Sequence, residues 1–160
     1  MTHAPEIREL AQLLRLRGLR ALAATRDCAR RAREVEEAEA ALARRDARIA
    51  HWQAEQAELS RFIVGDGARD LARFALSTAA RRAHLNEQHE RDAYTRLDDL
   101  RTLSQTRDRL AAAQARRARE QAREDETREM LRRATGAAVL QRDTVEAAEP
   151  ARSVHKVSWS

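Results

Sequence analysis

The sequence predicts an all-α protein: a long antiparallel two-helix coiled-coil hairpin with a flexible C-terminal tail. Three observations carry this. Every seventh residue over 7–63 reads Ile7, Leu14, Ala21, Cys28, Val35, Leu42, Ile49, Gln56 and Ile63, with one polar member. An apolar ladder of that spacing keeps facing a partner only if helices wind about each other left-handedly. Of 160 residues, 36% are charged and 3% aromatic, too few large apolar side chains for a globular core but ample helix formers. The sustained ladder argues against the disorder that such polarity otherwise suggests. Finally, Val64-Gly65-Asp66-Gly67 is the only strong interior turn signal, and it separates two helical stretches of similar length.

Helix 1 is expected over about residues 5–64. Pro5 suits a first helical position, and Glu6 and Glu9 complement the helix dipole. Gly18 is either a tolerated weak point, costing about 1 kcal/mol against Ala, or the mark of a closely approaching neighbour. The companion ladder reads Leu10, Arg17, Ala24, Arg31, Ala38, Arg45, Trp52 and Leu59. Its three arginines are expected to lay their stems along the seam and send guanidinium groups to water. Around Ala21, Ala24 and Cys28 the side chains are small, so a second helix can come close there.

The turn is expected at residues 65–67, with Gly65 in the left-handed conformation that ends a helix, Asp66 capping the next and Gly67 completing the bend. So short a linker folds helix 2 back beside helix 1, making the partner intramolecular and the chain a monomer on its own. Helix 2 is expected over about 68–135, closing a hairpin domain of residues 5–135. Its apolar residues do not keep one heptad frame, which predicts a stutter. Leu97, Leu100, Leu103 and Leu110 are its expected core members. Folding back about Asp66 pairs residues whose numbers add to roughly 131, such as Leu42 with His89 and Ile7 with Glu124. That leaves helix 2 unpartnered beyond about Asp125. Residues 136–160 are expected to be partly helical and then disordered, with Pro150 opening the tail and Trp159 its one candidate anchor.

The net charge of +5 is unevenly spread. Residues 1–33 carry eight Arg against Glu6, Glu9 and Asp27, whereas residues 34–66 carry four Arg against eight acids. A single cysteine, on the ladder, fits a reduced compartment, and the absence of a spanning or signal-type apolar run points to a cytoplasmic protein. His3, His51, His84, His89 and His155 have no second ligand set beside them. No Gly-rich phosphate loop or nucleophile turn is present. No catalytic residue, cofactor, metal or small-molecule substrate is therefore expected, and the chain reads as a non-enzyme. Duplex or single-stranded nucleic acid is the rival ligand for so basic a chain, with a sequence pI of about 10.7. Interleaved acids and scarce aromatics favour solvated coiled-coil faces instead. The residues alone leave open an unrelated cytosolic coiled-coil adaptor and a basic helical nucleic-acid-binding protein.

The run Leu10-Ala11-Gln12-Leu13-Leu14-Arg15-Leu16-Arg17-Gly18-Leu19-Arg20, leading into Ala- and Glu-rich heptads through Ile49, resembles the opening helix of the FliJ/YscO-type (SctO) stalk proteins of bacterial type III secretion systems. The layout over about residues 7–135 is similar to that family too, and closer to its non-flagellar, virulence-associated members. The resemblance implies a non-enzymatic central stalk that links a hexameric secretion ATPase to the cytosolic domain of an export-gate membrane protein. It also implies promotion of ATPase assembly or activity, with export chaperones as further partners, and a place at the cytosolic face of the inner membrane held through partners. In the family, the end bearing both termini enters the ATPase. On this chain the candidate ATPase-facing residues are then Arg8, Arg15, Arg17 and Arg20, with Arg116, Arg117, Arg119 and Arg123 expected beside them.

Overall fold

The computed structural model describes residues 3–65, 68–69 and 71–153. They form two helices, α1 (His3–Val64) and α2 (Leu71–Ser153), packed antiparallel as a hairpin, with no strand among the described residues. α1 is built from Ala, Arg, Glu, Leu and Gln with no proline after Pro5, so 62 residues run unbroken. A Cβ on Gly18 would meet Glu124 Oε1 at 3.9 Å, an ordinary contact. Gly18 is thus a tolerated weak point and not a close approach.

No described glycine has a positive φ, so the expectation of a left-handed Gly65 is corrected. Gly65 donates its N–H to the Arg61 carbonyl at 2.9 Å, extending the helical pattern. Ala68 then donates to the Gly65 carbonyl at 3.1 Å, and residues 68–69 form a 3₁₀ turn. Asp66 and Gly67 lie outside the described residues.

α2 starts at Leu71, three residues later than expected, and continues well past 135 to Ser153. Its extension over 137–149 holds four Ala and two Glu, and Gly136 costs only its propensity because a Cβ there would meet nothing within 4 Å. Pro150 accordingly lies within α2 and does not open a tail. Residues 154–160, with Trp159, lie outside the described residues.

The chain divides into two compact units, one combining Met1–Cys28 with Ala113–Ser160 and the other spanning Ala29–Ala112. In the second unit, Val35, Ala38 and Leu103 form a buried cluster against which Leu42 and Leu110 pack. Cross-helix hydrogen bonds give its register. Gln53 meets His89, Gln56 meets Asn86 and Asp46 meets Arg96, each pair adding to 142. The expected Leu42–His89 level is therefore displaced by eleven residues. The reason is local: residues 72–77, the first turns of α2, stay exposed, and Thr78 is the first inward side chain. In the first unit, Gly18 beside Glu124 gives the same sum. Thr127 is fully buried there and Leu131, Ala134 and Ala138 are half-buried, so α2 remains covered well beyond Asp125.

Along α1 both ladders face inward. Ala21, Ala24, Cys28, Val35 and Ala38 are buried, and Ile7, Leu14, Leu42, Ile49 and Ile63 are half-buried. α2 also holds one heptad frame, without the expected stutter. Thr78, Leu85, Asp92, Asp99, Thr106, Ala113, Glu120, Thr127 and Ala134 are all buried or half-buried. Leu103 and Leu110 lie on the companion frame, but Leu97 and Leu100 are exposed and are not core residues, because they fall outside both frames.

Candidate functional site

The inward face of α2 is largely polar, and the polar groups are answered from α1. Arg45, Arg48 and Trp52 stand at i, i+3 and i+7, which places them along one face of a helix. In the second unit they converge on Asp92, a carboxylate only 1% exposed. Its Oδ1 accepts from Arg45 Nη1 at 2.9 Å and from Arg48 Nη2, while Oδ2 accepts from Arg48 Nε at 3.0 Å and Trp52 Nε1 at 2.8 Å. Arg45 also donates from Nε to Asp99 Oδ2 at 3.1 Å. Arg48 grips the carboxylate with the two-pronged guanidinium geometry that makes such pairs strong.

These donors pull the Asp92 carboxyl down to about 2. The Arg48 hydrogen bonds are the largest cause; burial opposes them, and Trp52 and Arg45 reinforce them. Hydrogen bonding to Asp99, then to Asp92, raises Arg45 above the ordinary arginine value. A buried carboxylate is tolerated because every lone-pair direction finds a donor. The expectation that seam arginines send their charge to water is therefore corrected at Arg45, where α2 supplies two acids.

Arg17 repeats the theme in the first unit. Its Nη1 donates to the Arg123 carbonyl at 2.7 Å and to Thr127 Oγ1 at 2.5 Å, and Glu126 lies 3.8 Å away. The buried Thr127 hydroxyl donates in turn to the Arg123 carbonyl at 2.9 Å. Arg17 thus belongs to the seam and is removed from the candidate partner-facing set. Arg123 stays exposed and pairs with Glu120 at 3.1 Å. Arg8, Arg15, Arg20, Arg116, Arg117 and Arg119 are exposed and make no ion pair among the described residues. The pairing sum of 142 sets Arg116, Arg117 and Arg119 at the level of residues 23–26, so of the second group of arginines only Arg123 adjoins the first.

The same unit carries apolar groups that the sequence reading did not single out. Leu13, Leu16, Leu19 and Leu22 of α1 are all exposed. Their three-residue spacing lies off both ladders and was the available signal. With Arg8, Arg15 and Arg20 they give the outward side of α1 in this unit both apolar and basic side chains.

Among the described residues, no group of three His, Cys, Asp or Glu side chains is placed to hold a metal ion. No helix among the described residues is long and apolar enough to cross a membrane. Comparison with known protein families, with curated proteins and with solved structures found no match. The two-helix hairpin and its side chains are therefore the ground for a functional reading.

Proposed function

We propose that this chain is the central stalk of a type III protein secretion system, of the FliJ/YscO type. In this reading the unit bearing the exposed arginines and leucines docks in a hexameric secretion ATPase and promotes its assembly or turnover. The other unit faces an export-gate membrane protein, with export chaperones as further clients. One observation carries the reading: Arg8, Arg15 and Arg20 stand exposed and, among the described residues, without ion pairs, on the same stretch of helix as Leu13, Leu16, Leu19 and Leu22 and on a helix already committed to an intramolecular partner. Unpaired like charges on one surface repel, and an acidic partner surface relieves that.

The test is the activity of a purified secretion ATPase with and without this protein. A salt-sensitive gain is expected, and it should be lost in Arg8→Gln/Arg15→Gln/Arg20→Gln, three exposed positions whose change leaves the seam intact. Arg17 is left alone because its loss would disturb the hairpin itself. If the ATPase is unaffected while the protein binds duplex DNA with a steep salt dependence, the stalk reading fails and the nucleic-acid reading replaces it.

A further inference from the structure

The chain has only two phenylalanines, and both are exposed beside the bend in the second unit. Phe62 and Phe74, with Leu59, Ser77, Thr78 and Arg81, line an open groove of about 240 Å³. Val64 and Leu76 are the most exposed large apolar side chains described, at 82% and 88%, and lie outside that groove. Such groups are costly to leave in water, and four of them close to one turn mark a contact surface.

Charge names the occupant. Residues 58–82 carry five arginines against Glu58, Asp66 and Asp70. Arg81 is taken up by Glu55 at 2.6 Å, but Arg61, Arg69, Arg73 and Arg82 make no ion pair among the described residues. The Arg73 guanidinium lies over the Phe74 ring, 5.8 Å from its centroid. Arginines interleaved with outward apolar side chains suit an anionic bilayer surface, which takes the apolar groups into the headgroup region while the cations meet lipid phosphates. A protein groove would ask the apolar groups to form one patch, yet Val64 and Leu76 stand apart from the Phe62–Phe74 groove. Since no described helix is apolar enough to cross a membrane, the contact is with the surface alone.

We propose that the bend of this hairpin is a docking surface for anionic lipid. The inference goes beyond the stalk reading and does not depend on it. The full chain is mixed with vesicles of phosphatidylcholine, with or without phosphatidylglycerol, and separated by flotation. It should float with the anionic vesicles only, less so at high salt. Val64→Ser/Leu76→Ser, two exposed changes, should weaken binding at least about tenfold with the circular dichroism spectrum unchanged. Arg61→Gln/Arg69→Gln/Arg73→Gln should do likewise. Leu16→Ser/Leu19→Ser, in the other unit, should float as the wild type does. Absence of flotation, equal flotation with neutral vesicles, or loss in the Leu16/Leu19 variant with the bend variants unaffected would overturn the proposal. Loss of flotation with ATPase stimulation retained separates this surface from the docking of the other unit.

Discussion

Asp92→Ala will cost the hairpin about 3 kcal/mol or more in chemical denaturation, because removing one member of a buried charge cluster strands the others. Arg48 can swing to water, being 56% exposed, but Arg45 at 21% keeps only Asp99. The Trp52 N–H loses its acceptor as well. The same carboxylate sets an acid limb. Its folded value of about 2 lies below the unfolded value of about 3.9, so its stabilisation is fully present above about pH 4 and disappears as pH falls towards 2. The difference is worth on the order of 2–3 kcal/mol at neutral pH. Asp92→Asn should therefore flatten the stability profile between about pH 4 and pH 2. An unchanged acid limb in that variant would show that other carboxylates set it.

The second large effect is Leu103→Ala, expected to cost about 2–5 kcal/mol because Leu103 is 6% exposed in the cluster with Val35 and Ala38. Leu97→Ala, six residues earlier on the same helix and half out in solvent, should cost under about 1 kcal/mol. Urea melts of the two variants decide between burial by heptad frame and burial by hydrophobicity. Equal losses would mean that the inward face of α2 has been misplaced.

The contrast between those leucines shows what could be read without coordinates. α1 was legible because its inward positions are mostly apolar, so seven-residue counting finds Leu14, Ala21, Cys28, Val35 and Leu42 directly. α2 was not, because its inward frame runs through Thr78, Asp92, Asp99, Thr106, Glu120 and Thr127. A search for apolar repeats passes over those residues and collects the exposed Leu97 and Leu100 instead. The register escaped for a related reason. It is carried by cross-helix polar pairing, above all Arg45, Arg48 and Trp52 on Asp92, and by two unpaired opening turns of α2 that loop length alone does not reveal. At the candidate docking surface, charge counting found the arginines but could not tell that Arg17 turns inward to Thr127. It also gave no reason to look at leucines lying off the ladder.

The register of the hairpin underlies the seam, the lock at Asp92 and the separation of inward from outward arginines. Spin labels at Gln53 and His89 should lie about 10 Å apart, the spacing of neighbouring helices. Labels at Leu42 and His89 should be about 19 Å apart, since eleven residues add some 16 Å along the axis. Both distances should hold on dilution. If Leu42 proves closer to His89 than Gln53 does, or if proximity arises only as concentration rises, the antiparallel seam described for this chain is wrong.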